Sequence, residues 1–224
     1  MKKTTKILIF IILVIILGTF IFYKFFYNNT AKNLQIGNNS SSQEIVDYIL
    51  NVSSYEAVVH VEVQSNKNTN KYILKQQYLE PDISVQEVIE PTNISGVKIT
   101  RNGNQLKIEN AKLNLSTIFN EYQYLSDNVL DLNTFIEAYK TNSDSKYQEK
   151  ENEIVMTAKI RKSDRDIKEE SLYINRESVL PTRMEIKDTN KNTNIYILYN
   201  EVSINSLKKE NVLAFEINGI KKQI

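Results

Sequence analysis

One histidine with two nearby carboxylates is the set of residues in this sequence whose types and spacing could perform acid–base chemistry. His60 stands four residues after Glu56 and two residues before Glu62. Alternate residues of a strand point to the same face, so these three side chains would lie together on a strand. A histidine flanked by carboxylates can act as a general base. The same pattern also fits an ordinary exposed strand, and we favour this second interpretation, which assigns no catalytic residue.

The other candidates for chemistry are weaker. The chain has no cysteine and a single histidine, which cannot build a usual zinc site. Asp164-Arg165-Asp166 and Glu169-Glu170 lie between two predicted strands, and we predict a solvated loop there rather than a calcium site. The sequence has neither a glycine-rich phosphate loop nor a G-x-S-x-G elbow. We therefore predict a protein that is not an enzyme and that has no cofactor and no metal.

Charge and hydropathy point to the membrane rather than to nucleic acid. The formal net charge is +1, which gives no electrostatic reason to expect nucleic-acid binding. The stretch Ile7–Tyr23 is uncharged and almost wholly apolar, and a chain crossing lipid must satisfy its backbone hydrogen bonds as a helix. Lys2, Lys3 and Lys6 precede it, which favours a cytoplasmic amino terminus and an extracytoplasmic domain. We predict a single-pass anchor in the cell membrane over residues 1–27.

A cleaved signal peptide is the alternative to an anchor. The apolar run is longer than the usual apolar region of a signal, and Asn29-Thr30-Ala31 matches the small-residue cleavage pattern poorly. These features favour an uncleaved helix. The polar residues 28–42 predict a flexible tether, and residues 43–224 predict one extracytoplasmic domain, which is long enough to bury a good core.

Hydrophobic periodicity predicts the elements of that domain. Ser41 and Glu44 form a capping box before an amphipathic helix over Gln43–Val52, and a second helix is predicted over Asn128–Lys140. The stretch Tyr55–Gln64 has period two, which places Ala57, Val59, Val61 and Val63 on a buried face opposite His60. The other predicted strands are Lys71–Glu80, Ile83–Glu90, Gly96–Arg101, Asn104–Glu109, Ala111–Ser116, Ile195–Ile204 and those around Ile154–Ile160, Leu172–Ile174 and Met184–Ile186.

The connections between these strands are too short for parallel crossovers. Asn102-Gly103 predicts a type I′ hairpin turn, and Thr141–Glu151 predicts a polar loop. The fold class is therefore α+β: about nine strands in one curved antiparallel sheet, with two helices packed on its concave face.

Several short phrases, in this order, resemble a known group of proteins. They are Asn51–Ala57, Gln77–Asp82, Asn102-Gly103 and Val179–Ile186. They are similar to the LolA/LolB/RseB superfamily of lipoprotein-binding folds and, within it, to the clostridial germination lipoproteins of the GerS type. The resemblance covers about Ser42 to Asn205 and implies an unclosed β half-barrel covered by helices.

The resemblance implies two functions of different classes. A GerS-like protein is a non-enzymatic binding partner that supports a spore-cortex cell-wall amidase, CwlD-like, in cortex modification and germination. A LolA-like protein is instead a lipid or lipoprotein carrier, or an envelope sensor, that holds acyl chains in the half-barrel. The chain has no lipidated cysteine, unlike GerS, and no arginine here matches the functional arginine of LolA by motif. No binding residue is therefore carried over, and the predicted binding residues remain unknown.

Overall fold

The protein forms one open, curved sheet with two α-helices packed on it. The structure is a computed structural model that describes residues 40–208 except 66, 122–129, 164–165, 189 and 191. The helices are α1 (Ser42–Leu50) and α2 (Leu132–Thr141), and a 3₁₀ helix spans Ala111–Leu113. The strands are β1 (Ser54–Gln64), β2 (Thr69–Leu79), β3 (Ile83–Glu90), β4 (Val97–Asn102), β5 (Gln105–Asn110), β6 (Leu115–Phe119), β7 (Lys146–Lys150), β8 (Glu153–Ser163), β9 (Asp166–Asn175), β10 (Pro181–Lys187) and β11 (Thr193–Ile204).

The sheet is antiparallel throughout and has the order β6-β5-β4-β3-β2-β1-β11-β10-β9-β8-β7. Strands β1 and β11 lie at its centre, and β6 and β7 are its two edges among the described residues. The α+β class and the antiparallel sheet are confirmed, with eleven strands in the described part of the chain where about nine were predicted.

The predicted face assignment of β1 is confirmed. Ala57, Val59 and Val61 are buried, whereas His60 is exposed on the opposite face. The buried face of β1 contacts a single hydrophobic core that also includes side chains of both helices and of strands β2 and β8–β11. The sheet thus has a face covered by helices and an outer face.

Helix α1 begins as the sequence predicts. The Ser41 side chain accepts a hydrogen bond from the backbone N–H of Glu44, and the Glu44 carboxylate accepts one from the Ser41 backbone at 2.7 Å. Arg176 holds the same end of the helix, since it donates to Ser42 Oγ at 2.7 Å and to the Ser40 carbonyl at 3.1 Å. The helix buries Ile45, Val46 and Ile49, residues at helical spacing, against the sheet.

Helix α2 begins later than predicted, at Leu132. Asp131 is its N-cap, because the carboxylate accepts a hydrogen bond from the Asn133 backbone at 3.3 Å. Leu132, Phe135 and Ile136 are buried in the core. The first residues of the predicted helix, Asn128 and Val129, lie outside the described residues.

The hairpin between β4 and β5 is confirmed, but the predicted type I′ turn is wrong. Asn102 pairs with Gln105, so the two turn residues are Gly103 and Asn104, one position later than predicted. Gly103 has φ +57°, and Asn104 does not have a positive φ. A type I′ turn needs positive φ at both positions, whereas a glycine at the first position suits type II′. The glycine therefore selects the position of the turn.

The predicted strand Ala111–Ser116 is wrong for its first four residues. Residues Ala111–Leu113 form a 3₁₀ helix, because the Asn110 side chain accepts hydrogen bonds from the backbones of Lys112 and Leu113 at 3.0 and 3.3 Å. Asn114 then adopts a left-handed conformation, and strand β6 begins at Leu115. Asparagine makes such local bonds readily and thereby competes with a strand.

Two predicted loops contain strands. The interval Thr141–Glu151 includes β7, whose charged residues pair with β8 as an exposed edge strand. Strand β9 begins at Asp166 and includes Glu169 and Glu170, so the predicted solvated loop is wrong for these three residues. Residues 164 and 165 lie outside the described residues.

Within the described residues, no helix is long and apolar enough to cross a membrane. The predicted anchor in residues 1–27 lies outside those residues, as does most of the predicted tether.

Candidate functional site

The carboxylates beside His60 are engaged with other groups. Glu62 lies 3.3 Å from Lys71 Nζ, and it accepts a hydrogen bond from Gln64 at 3.2 Å. The hydrogen bonds from Gln64 and Lys71 hold the pKa of the Glu62 carboxyl below its usual range. Glu56 accepts a hydrogen bond from Gln77 and lies 3.6 Å from Lys75 Nζ. Lysines of the neighbouring strand β2 therefore form ion pairs with both carboxylates.

The side chain of His60 has no hydrogen bond or ion pair with any described residue. A general base is normally oriented by a third group, as in a catalytic triad. Both flanking carboxylates are already occupied, so His60 lacks the orienting partner that the catalytic interpretation requires. The geometry thus agrees with an exposed strand residue.

His60 lies instead in a row of side chains that crosses the outer face of the sheet. It pairs with Ile73 of β2 on one side and with Leu198 of β11 on the other, and Leu198 pairs in turn with Arg183 of β10. We call Ile73, His60, Leu198 and Arg183 the central row. Paired residues of an antiparallel sheet share a face, so these four side chains project in the same direction.

Three residues of the central row, Ile73, His60 and Leu198, line a cleft of about 320 Å³ on the outer face, and Arg183 lies beyond it in the same row. Ile73 and Leu198 give the cleft apolar walls, and Leu198 is 38% exposed. A second row of paired residues contributes one tyrosine and two charged side chains to the wall of the cleft. These are Tyr196, Glu62 and Lys71, and Glu90 also lines the cleft. Apolar contacts surrounded by polar groups are typical of surfaces that bind macromolecules.

Arg183 is held rigidly at the end of the central row. Its guanidinium lies 3.6 Å from the ring centroid of Tyr173 and donates two hydrogen bonds to the Glu153 carboxylate, at 2.6 and 3.0 Å. A bidentate pair that is also stacked on an aromatic ring fixes the orientation of an arginine. Rigid arginine and tyrosine side chains lose little entropy when a partner binds beside them.

The helix-covered face contains a cluster of buried polar groups that sequence reasoning missed. The Tyr55 hydroxyl donates a hydrogen bond to the Asp131 carboxylate, and Gln76 donates one to the Leu130 carbonyl at 3.0 Å. Burial raises the pKa of Asp131, and burial together with the nearby Asp131 charge raises the pKa of Tyr55 well above its usual value. The hydrogen bond ties helix α2 to the central strand β1.

Glu170 lies on this covered face and is fully buried. It pairs with Ala158 of β8 and Ile186 of β10, both of which belong to the core. Counting back two residues from Leu172 along a strand would have placed Glu170 on the core face. The local run of charged residues concealed that signal.

The space between the helices and the sheet is filled with side chains. The fully buried residues there include large apolar side chains from both helices and from five strands: Ile45, Ile49, Leu132, Phe135, Ile154, Met156, Leu172, Ile174, Met184, Ile186 and Ile197, with Tyr55. In the described structure this packing is a protein core rather than a lined chamber. Among the described residues there is also no group of three or more histidine, cysteine or acidic side chains that could bind a metal ion.

Comparison with known proteins identifies the family. The family model described as "Sporulation protein YdcC-like" matches residues 4–213. No curated protein matches the chain.

Solved structures that are similar to the chain include members of the group that its sequence phrases resemble. One is a chain from the structure of the CwlD amidase from Clostridioides difficile in complex with the GerS lipoprotein, with 22% identity and a TM-score of 0.44 over 73% of this chain and 95% of that chain. Another is a LolA superfamily protein from Nitrosomonas europaea, with 10% identity and a TM-score of 0.42 over 76% of this chain and 96% of that chain. A third comes from the MucA/MucB complex of Pseudomonas aeruginosa, with 8% identity and a TM-score of 0.44 over 75% of this chain and 60% of that chain. Because the family model spans nearly the whole chain, this protein belongs to the YdcC-like family of sporulation proteins.

Proposed function

We propose that this protein is a membrane-anchored, extracytoplasmic binding protein of sporulation that supports a cell-wall amidase of the spore cortex without being an enzyme itself. Membership of a sporulation family supports the cellular process. The apolar stretch Ile7–Tyr23 and the lysines before it support the location. The sequence phrases shared with GerS-type proteins support the amidase as the partner.

The observation that carries the proposal is the filled space under the helices. An acyl carrier needs an apolar chamber, and here the corresponding volume is occupied by fully buried residues such as Phe135, Met156 and Leu172. Admitting an acyl chain would require both helices to separate from the sheet and expose that core. A binding function is therefore better served by a surface that is already accessible.

The central row is the surface that we assign to the amidase. Ile73 and Leu198 offer apolar contact beside the cleft, and Arg183 offers a rigid guanidinium. Small sets of apolar, aromatic and arginine side chains account for most of the binding energy of protein interfaces. A stable complex would bury upwards of about 1,000 Å² around this row.

The carrier or sensor function is the alternative that the same experiment tests. A protein fixed in the membrane by its own helix cannot shuttle lipoproteins, because a shuttle must leave the membrane. A sensor that binds lipid without leaving the membrane would still fit. It would have to open the packed interior described above.

The experiment is a binding measurement with a soluble fragment, residues 40–224, and the cortex amidase of the same organism. We expect the two proteins to elute together in size-exclusion chromatography at micromolar concentration, and the fragment alone to show no hydrolase activity. Leu198→Asp should weaken binding at least about tenfold, which is about 1.4 kcal/mol. Tyr147→Asp is the matched control, because Tyr147 is 37% exposed, much like Leu198 at 38%, but lies on the edge strand β7.

Two results would reject the proposal. If the fragment and the amidase elute separately and acyl lipid is found bound to the purified fragment, the carrier or sensor function is correct. If both aspartate variants weaken binding equally, the amidase does not bind at the central row.

A further inference from the structure

The strand pairing continues the line of the central row to a charged residue of strand β3. Ile73 pairs with Glu90 across β2 and β3, so the Glu90 side chain projects from the outer face in the same direction as the central row. Glu90 is exposed, and it lines the cleft together with Ile73, His60 and Leu198. The whole line therefore has a carboxylate at one end and, in Arg183, a guanidinium at the other.

These two ends differ in whether their charge is already paired. Arg183 donates two hydrogen bonds to the Glu153 carboxylate, at 2.6 and 3.0 Å. Within the part of the chain that the structure describes, the Glu90 side chain has neither a hydrogen bond nor an ion pair. An unpaired charge attracts a group of opposite sign on a partner, whereas the charge of Arg183 is already matched by Glu153.

The other charged residues at the cleft cancel each other. Glu62 lies 3.3 Å from Lys71 Nζ, and His60 counts as neutral at pH 7. Glu90 therefore gives the described lining of the cleft a net negative charge. A cleft with one sign of charge favours association with a group of the opposite sign.

We infer that the partner protein places one basic side chain, a lysine or an arginine, in this cleft, with its charged end at Glu90 and its aliphatic stem over Ile73. The inference rests on the function proposed above, in which that partner is the cell-wall amidase. Lysine and arginine cover apolar surface with their stems while the charged end stays in polar surroundings. Neighbouring strands are about 4.8 Å apart, so a stem that lies over Ile73 brings its charge close to Glu90.

An acidic or a purely apolar side chain would suit this cleft less well. An acidic group would meet the like charge of Glu90, and the lysine at the cleft, Lys71, already pairs with Glu62. An apolar side chain would remove water from the unpaired Glu90 carboxylate, which is unfavourable. A basic side chain avoids both penalties, because its charge replaces the water that it displaces.

The experiment measures the affinity of the full-length chain, purified in detergent micelles, for the cortex amidase of the same organism. Glu90→Gln removes the charge and keeps the shape of the side chain, and Glu90→Lys reverses the charge. We expect Glu90→Gln to weaken binding and Glu90→Lys to weaken it at least about tenfold, because like charges that face each other across an interface oppose association. The loss in Glu90→Gln should shrink at high salt, which screens the attraction in the wild type.

Glu177→Lys is the matched control, since Glu177 is also exposed but lies in the turn between β9 and β10 and does not line the cleft. It makes the same change of charge and should leave the affinity unchanged. Equal losses in Glu177→Lys and Glu90→Lys would show a general effect of net charge and would reject the basic contact at Glu90.

The wild type separates a failure of this contact from a failure of the proposed function. If the wild type and both Glu90 variants bind the amidase equally, the basic contact is rejected while the function proposed above stands. Tighter binding of Glu90→Lys would also reject the contact, because the partner would then present an acidic group. If the wild-type chain binds no amidase, the proposed function is rejected and the basic contact with it.

A charge exchange identifies the basic residue of the partner. Exposed lysine and arginine residues of the amidase are replaced by glutamate one at a time, and each amidase variant is measured against the wild type and against Glu90→Lys. One replacement should weaken binding to the wild type and restore binding to Glu90→Lys, because the exchanged charges attract each other again. A misfolded variant cannot regain binding in this way. If no replacement restores binding to Glu90→Lys, Glu90 does not contact a basic side chain of the amidase.

Discussion

The two faces of the sheet share the same strands but differ in what their side chains do. On the covered face, two helices and six strands bury a continuous apolar core with a few polar groups inside it, Asp131 and Glu170 among them. On the outer face, charged side chains pair across strands around exposed residues such as His60 and Leu198. The hydrophobic core thus lies on one face, and the other face is accessible to solvent. Four predictions test this division, and they are given from the largest expected effect to the smallest.

The largest effect is expected for one of two adjacent residues of β1 whose side chains project to opposite faces of the sheet. Val61 is buried and contacts the core, so Val61→Asp would place an unpaired charge there. We expect it to lower the free energy of unfolding by roughly 3–5 kcal/mol, as measured by chemical denaturation of residues 40–224. His60→Asp adds the same side chain to the exposed face and should lower the free energy of unfolding by about 0.5 kcal/mol or less. Equal losses in the two variants would mean that the faces are assigned wrongly.

Strand β1 was predictable because its pattern is local and unambiguous. Alternating apolar residues from Ala57 to Val63 identify the strand and also its buried face. The capping box at Ser41 is equally local and was equally predictable. Elements of this kind account for the parts of the fold that the sequence predicted correctly.

The missed features depend on contacts between distant parts of the chain. Tyr55 and Asp131 are 76 residues apart, and only the packing of α2 on β1 brings them together. Strand β7 has no apolar pattern, because an edge strand can be held by backbone hydrogen bonds to β8 alone. The central row likewise exists only through the register of four strands, which no single stretch of sequence encodes.

The second prediction concerns the polar pair on the covered face. Tyr55→Phe removes the hydroxyl that donates to Asp131 and leaves a buried carboxylate without that donor. The free energy of unfolding should fall by about 1–3 kcal/mol. Tyr199→Phe is the control, because Tyr199 is also buried but its hydroxyl has no hydrogen-bond partner among the described residues. The control variant should be as stable as the wild type or more stable, and a loss equal to that of Tyr55→Phe would show that the hydrogen bond is not the cause.

The third prediction concerns the pH dependence of the same pair. Burial raises the pKa of Asp131 in the folded state, so the folded protein holds this proton more strongly than the unfolded chain does. The contribution of Asp131 to stability is therefore fully present below about pH 4, the usual value for the unfolded chain, and is lost as the pH rises through the raised folded value. Asp131→Asn stays neutral and keeps an oxygen that can accept from Tyr55 and Asn133.

The measurement compares the free energy of unfolding of the wild type and of Asp131→Asn between pH 4 and pH 8. The free energy of unfolding of Asp131→Asn should rise relative to that of the wild type as the pH rises. The difference between the two should be largest at neutral pH. A constant difference over the whole range would show that Asp131 does not titrate anomalously. Asp131→Ala, which removes the acceptor for both hydrogen bonds, should be less stable than Asp131→Asn at every pH.

The smallest effect is expected at His60, the residue from which a catalytic interpretation would start. His60 is exposed, has no bond to Glu56 or Glu62, and lies on the face that does not support the core. His60→Ala should therefore change the free energy of unfolding by no more than about 0.5 kcal/mol. A general acid or base typically contributes about 10²–10⁴-fold to a rate, so a catalytic His60 would make the variant inactive in the role in spore germination that is proposed above. A histidine that only lines a binding surface shares its role with Ile73, Leu198 and Arg183, and its loss should leave germination intact, in contrast to Leu198→Asp. Counting germinated spores of a His60→Ala strain and a Leu198→Asp strain distinguishes a catalytic histidine from one that only lines a surface. A stable His60→Ala protein without biological activity would indicate a chemical function of the outer face that its geometry does not otherwise suggest.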